Sequence, residues 1–195
     1  MRISLILSMV AAALTILPSE GSAGSMLRAS RSIGAPIGFP SACARYAWLC
    51  HNQGGGKIGD DAAMPLLQRV NRSVNASVRP ALDITTSGKS EYWSLPIDSR
   101  GDCEDYALLK LKTLLDSGFP SNKLSMSVVL DRRGNNHVVL LARLKAGDYV
   151  LDNLSGSVRT WESTGYTFLA SQNFSNKGAW QVTLAGPRAG QFSGT

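Results

Sequence analysis

Apolar and polar residues alternate along this chain with three different rhythms, and each predicts a different kind of element. A largely apolar stretch from Ile3 to Leu17 follows Met1 and Arg2 and gives way to Pro18 and the small residues Gly21, Ser22 and Ala23. A stretch of about 15 residues falls short of the roughly 20 that span a bilayer, so the basic start, short apolar centre and small-residue end predict a signal peptide, cleaved after Ala23. The mature chain then starts near Gly24, and no later segment is apolar enough to span. Residues 24–38 carry Gly, Ser and Pro without periodicity and predict a mobile lead-in, with order beginning near Phe39.

The second rhythm is helical. Between Asp60 and Val78, Leu67, Val70, Val74 and Val78 recur at steps of three and four behind Asp60 or Asp61 as a cap, with Pro65 in the first turns. Asn71 and Asn75 share one face of this helix, where either solvent or a neighbouring loop would satisfy an amide, and no chemistry is assigned to them. Asn75-Ala76-Ser77 has the pattern of a glycosylation acceptor, which is common by chance and is discounted. Tyr92 to Pro96 reads as an extended loop, because the residue before a proline disfavours helix. A second helix follows, in which Ala107, Leu108, Leu111, Leu114 and Leu115 form a buried stripe behind Cys103 and Gly118 with Pro120 signals the stop.

The third rhythm has period two. Leu124, Met126, Val128 and Leu130 alternate with Ser125, Ser127 and Val129, as in a half-buried strand. Arg133 to Asn136 marks a turn, His137 to Leu144 is a very apolar strand, Lys145 to Gly147 turns the chain, and Asp148 to Asp152 is a third strand. Val158 to Trp161, Tyr166 to Leu169 and Trp180 to Leu184 add short strands or edge pieces, and residues 186–195 form a Gly-rich, frayed tail. No internal repeat or heptad pattern occurs. Helices followed by an antiparallel meander predict an α+β domain over residues 39–185.

Composition supports this reading. The 195 residues are 44% hydrophobic and 17% charged, which suits one globular domain with an apolar core. The net charge of +6 is spread over scattered Lys and Arg with no run or stripe, so nucleic acid is not the expected partner. Export would place the chain in an oxidising compartment, where two of its three cysteines pair. Cys43 and Cys50, close in sequence, are expected to close a short loop as a disulfide, which leaves Cys103 as a free thiol.

Cys103 stands where the glycine-led turn Arg100-Gly101-Asp102 runs into the second helix. The dipole and unpaired N–H groups of a helix start favour a thiolate, and the same N–H groups suit the oxyanion of an acyl-transfer intermediate. His137 opens one strand and Asp152 closes the next, so a hairpin brings both to one end of the sheet. An imidazole there takes the thiol proton while the carboxylate fixes its tautomer. The other histidine, His51, lies beside the disulfide loop in a Gly-rich stretch, which makes His137 the better base.

Gly-Asp-Cys-Glu-Asp-Tyr-Ala-Leu at 101–108, Asn-His-Val-Val-Leu-Leu at 136–141 and Tyr-Val-Leu-Asp-Asn-Leu at 149–154 resemble the bacterial transglutaminase-like cysteine proteinases. Val70-Asn71, Val74-Asn75 and Trp93 to Pro96 are similar to that family too, so the resemblance covers roughly residues 40–185. It implies a papain-like, transglutaminase-like core, with the nucleophile helix packed on an antiparallel sheet and a triad of Cys103, His137 and Asp152. It also implies a periplasmic or secreted peptidase, a large surface adhesin as protein substrate, release of biofilm cells, and control by an inner-membrane receptor.

In the adhesin-releasing branch of that family the acids flanking the nucleophile bind calcium, which here implies Asp102 and Glu104. Charge supports a cation, since Asp102, Glu104 and Asp105 crowd the thiol and oppose its ionisation. A plainer reading has Asp102 cap the helix and the other two favour its dipole. Two carboxylates under-fill a calcium shell of about 6 to 8 oxygens, so carbonyls or water must complete it. Three functions are compatible with these residues: hydrolysis through a thioester acyl-enzyme, transglutaminase-type transfer of a Gln acyl group to a Lys amine, and a non-catalytic envelope binding module that uses the same groove.

Overall fold

The computed structural model describes residues 24–54 and 56–192, and the expected signal peptide lies outside them. In chain order the elements are β1 (Ser32–Ile33), α1 (Phe39–Arg45), α2 (Ala47–Cys50), α3 (Asp60–Ser77), β2 (Arg79–Pro80), α4 (Asp83–Thr86), β3 (Arg100–Gly101), α5 (Cys103–Asp116), β4 (Leu124–Leu130), β5 (Asn136–Leu144), β6 (Gly147–Asp152), β7 (Ser155–Thr160), β8 (Thr167–Gln172) and β9 (Trp180–Ala185). Seven strands form an antiparallel sheet in the order β1-β9-β8-β4-β5-β6-β7, and β2 pairs with β3 in parallel. The architecture is α+β, as the element pattern predicts.

The expected meander describes β4 to β7. From β7 the chain then crosses back, so that β8 pairs with the other side of β4 and β9 and β1 continue outward. This crossing changes the burial of β4. Its alternation suggests a half-buried strand, yet Ser125 and Ser127 are fully buried. Their hydroxyls are satisfied by β8: Ser125 Oγ donates to the Gln172 carbonyl at 2.5 Å, and Ser127 Oγ lies 2.7 Å from Ser171 Oγ. A small hydroxyl with a partner can be buried at little net cost, so period two reports side-chain direction here and not exposure.

Both faces of the sheet are covered. On one face the buried stripes of α3 (Leu67, Val70, Val74) and α5 (Leu108, Leu111, Leu114) pack against Leu140, Ala142 and Leu151. On the other, Val129, Val139, Leu141, Val150 and Phe168 form a second core with Leu27 and Tyr166. Leu27 belongs to the segment expected as a mobile lead-in, and that expectation differs from the structure. Its N–H donates to Asp148 Oδ2 at 2.8 Å, and Ser32 and Ile33 pair with β9. Edge pairing and single anchor contacts need no amphipathic period, which is why sequence periodicity is blind to this layer. Past β9, the Arg188 N–H bonds Thr167 Oγ1 at 3.0 Å and Ala189–Phe192 form a short 3₁₀ turn, so residues 186–192 also lie on the domain.

Cys43 and Cys50 form a disulfide between α1 and α2, with their Cα atoms 5.6 Å apart. These two helices hold the irregular 92–96 loop. Arg45 donates to the Trp93 carbonyl at 2.7 Å, Tyr46 accepts the Leu95 N–H, and Trp93 packs edge-on against Phe39 and Trp180. Among the described residues no helix is long and apolar enough to cross a membrane.

Candidate active site

The nucleophile candidate is delivered by a tight hairpin. Ile97 bridges Arg100 across Asp98 and Ser99, which both sit in the left-handed region at φ 50° and 57°. Two consecutive positive φ values are the signature of a type I′ turn, and they cost backbone strain in residues other than glycine. The chain then runs through β3 into α5, with Cys103 as its first residue. Gly101 is required by space, since a Cβ there would lie 2.4 Å from Asp105 Oδ2. Asp105 in turn accepts the Ser94 N–H at 2.9 Å, which ties the start of α5 to the 92–96 loop.

The thiol at this position is not poised by the helix alone. Burial, followed by the charge of Glu104, pushes the Cys103 pKa well above that of a free thiol, with only the Val138 N–H opposing. Its proton is directed to Glu104 Oε2 at 3.2 Å.

His137 and Asp152 meet through strand register. Leu140 pairs with Leu151, so one further step sets Asp152 opposite Val139, and His137 is two residues from Val139 on the same side of β5. That side carries Val139, Leu141 and Val150 and faces away from α5. Both side chains are buried, and His137 Nε2 bonds Asp152 Oδ1 at 2.9 Å. Nδ1 is left for the cleft, a cavity of about 400 Å³ lined by Cys103, His137 and Val138 and walled by Trp93, Leu82 and Ile37. The thiol reaches this cleft from the helix face of the sheet and the imidazole from the opposite face. His51 is exposed, bonded to the Ala47 carbonyl, and does not line the cleft.

Three residues to which the sequence reading assigned no role surround Asp152. Asn71, fully buried, accepts the Asp152 N–H at 3.0 Å and donates to the Ser155 carbonyl at 2.8 Å. Asn75 donates to the Asp152 carbonyl at 2.9 Å. Of the two alternatives for these amides, the loop contact is the one observed. Tyr166 donates its hydroxyl to Asp152 Oδ2 at 2.6 Å. Burial alone would raise the Asp152 carboxyl, but the bonds and charge of His137 and the bond from Tyr166 outweigh it and hold it below the usual range.

Asp102 and Glu104 lie beside the thiol, as their sequence positions require, and the structure adds Asp83 from α4. One carboxylate oxygen from each of the three lies within 4.8 Å of the others. Asp83 Oδ1 and Asp102 Oδ1 are buried without a hydrogen-bond partner. Burial, then the charge of Asp102, pushes Glu104 up to about 9, and burial also raises Asp102. Asp105 next to them is raised to about 7, again mainly by burial. Converging hard oxygens, two of them orphaned and buried, fit a divalent cation of the calcium type. Nothing local in the sequence marks Asp83, which reaches the cluster because β2 pairs with β3 and sets the start of α4 beside the start of α5.

Solved structures similar to this chain include three of LapG from Legionella pneumophila, among them a calcium-bound and an EGTA-treated one. Each is 26% identical with a TM-score of 0.49 and covers 56% of this chain. The match spans 64%, 62% and 63% of the three LapG chains, a little under two thirds of their length. A search of curated proteins finds no match. Residues 29–188 match the bacterial transglutaminase-like cysteine proteinases (BTLCP), and the chain belongs to that family.

Proposed function

We propose that this chain is an exported cysteine peptidase that cleaves a protein substrate through a thioester acyl-enzyme, with Cys103 as nucleophile, His137 as base and Asp152 as orienting acid. The reading rests on membership of a cysteine proteinase family. The observation that carries the residue roles is the 2.9 Å bond from His137 Nε2 to Asp152 Oδ1 at the wall of the cleft that also holds Cys103. In that role Nδ1 of His137 takes the thiol proton, Cys103 attacks the scissile carbonyl, and the N–H groups at the start of α5 receive the oxyanion. His137 then returns the proton to the leaving amine, and water hydrolyses the thioester. An extended segment of a large surface adhesin in the periplasm or at the cell surface is the proposed substrate, and an inner-membrane receptor the proposed regulator.

Asp83, Asp102 and Glu104 would hold a calcium ion, which would supply positive charge beside the thiol and offset the carboxylate repulsion that adds to burial in keeping it protonated.

The test is the rate of iodoacetamide alkylation of Cys103 against pH, with calcium or with chelator, in the wild type and in His137→Ala. Alkylation that persists well below the free-thiol pKa of about 8.5, and that needs His137, supports the pair. Ordinary thiol behaviour in every condition overturns it in favour of a binding module. Product analysis on a cleaved protein then separates the two acyl-transfer outcomes: a new chain terminus means hydrolysis, whereas ammonia and cross-links mean transfer to an amine.

A further inference from the structure

We propose that Tyr166 is a positioning residue for the thiol chemistry, its hydroxyl pinning one oxygen of Asp152 so that the other stays aimed at His137; this rests on the triad reading above.

The terminal torsion of an aspartate is broad and nearly two-fold, so one bond to the imidazole does not fix the carboxylate plane. The backbone of Asp152 is held by Asn71 and Asn75 from α3. Its Oδ1 receives His137 Nε2 at 2.9 Å and the Leu154 N–H at 3.0 Å. Tyr166 supplies the donor on the opposite oxygen, at 2.6 Å, and without it Oδ2 has no protein partner in a buried site. Its ring also stands edge-on to the imidazole, with centroids 5.9 Å apart and planes at 86°, which limits rotation of His137 and keeps water from the pair.

The tyrosine is itself clamped. Its N–H bonds Thr164 Oγ1 at 3.1 Å, and the Thr164 carbonyl accepts Arg132 Nε at 2.7 Å. On the other side Gly186, at φ 114°, passes so close that a Cβ there would lie 2.2 Å from the Tyr166 carbonyl. The charged groups around the pair are His137 on β5 and Lys110 on α5, which act on Asp152, and Arg132 and Arg159, which face Tyr166. Burial, then the neighbouring Asp152, pushes the phenol far above its ordinary range, so it remains a donor at every working pH.

Tyr166→Phe keeps the ring and removes only the donor. Three readouts on the full chain in calcium test the proposal: the ¹³C carboxyl titration of Asp152, the alkylation rate of Cys103 by iodoacetamide at pH 7, and the thermal midpoint. The expected result is an Asp152 midpoint shifted upward and an alkylation rate lower by about tenfold, the size of one lost bond to a charged group. A rate equal to wild type overturns the proposal, whether or not the Asp152 midpoint or the thermal midpoint moves, because the hydroxyl would then serve burial alone. His137→Ala run in parallel separates the two readings. If it alkylates like the wild type, the triad itself fails; if it is slow while Tyr166→Phe is not, only the role of Tyr166 fails.

Discussion

Two carboxylate groups flank the cleft, and they differ in how completely the protein satisfies them. Asp152 has donors on both oxygens, from His137, Leu154 and Tyr166, and its carboxyl is held below the usual range. Across the thiol, Asp83 and Asp102 each bury an oxygen with no donor, and Glu104 is pushed up to about 9. The first group is complete as folded, with a donor on each oxygen. The second is costly as folded, since a buried acceptor without a partner loses its hydration for nothing, and that cost is what a bound cation would relieve. The first arrangement suits the orienting role proposed for Asp152, and the second suits the cation proposed for Asp83, Asp102 and Glu104.

The strongest way to break the comparison is to remove the finished side. Asp152→Ala is expected to lower proteolysis by roughly a thousandfold or more, because His137 loses the partner that fixes its tautomer. The thermal midpoint should fall as well, since Tyr166 and His137 keep buried polar groups without an acceptor. Equal cleavage rates in purified wild type and variant would refute the assignment. Next in size, Asn71→Ala leaves the Asp152 N–H without its side-chain acceptor and the Ser155 carbonyl with Asn75 as its remaining side-chain donor, and should cost about 1–3 kcal/mol in denaturant unfolding. A loss within 0.5 kcal/mol would show that water replaces the amide.

The unfinished side should respond in the opposite sense. Calcium at about 100 times its dissociation constant is expected to stabilise the wild type by about 2.7 kcal/mol, and Asp83→Asn to remove most of that gain. In chelator, the same substitution should raise the melting temperature, because it removes one charge from a crowded cluster. A calcium response that survives Asp83→Asn would exclude Asp83 as a ligand.

The smallest expected effect is on pH dependence. Glu104 and Asp105 have folded pKa values raised to about 9 and about 7, so between pH 4.5 and 7 the folded state binds more protons than the unfolded one. Stability in chelator should therefore fall as pH rises through that window. Lys110 and Lys177, lowered to about 7 by burial, act mainly above it and in the opposite direction. Asp152, with its lowered pKa, acts below it and loses its contribution only in stronger acid. Calcium should flatten the slope, and a melting temperature that rises from pH 5 to 7 in chelator would contradict the assignment.

The part of the site that is legible in the sequence is the part carried by short contiguous words. Cys103 with Asp102 and Glu104, His137 at a strand start and Asp152 at a strand end each stand in a local pattern that predicts an element and a place on it. Asp83, Asn71 and Tyr166 carry no such pattern. Asn71 reads as one polar residue on an amphipathic helix, and its meaning depends on α3 lying against the end of β6. Tyr166 reads as the first residue of a weak strand, and it reaches Asp152 only because β8 returns across the sheet to β4.

What the sequence determined by itself, then, is the helices α3 and α5, the strands β4 to β6, the lone thiol and the identity of the residues around it, because periodicity, caps and turns act over a few neighbours. The tertiary structure decided what those residues meet. It anchored Leu27, Ser32 and Ile33 of the lead-in to the sheet, buried the serines of β4, completed both oxygens of Asp152 and left one oxygen each of Asp83 and Asp102 without a donor. Each of these outcomes is a contact between segments far apart in the chain. The free energy of such a contact depends on burial and on unpaired groups, neither of which has a period that a local pattern could display.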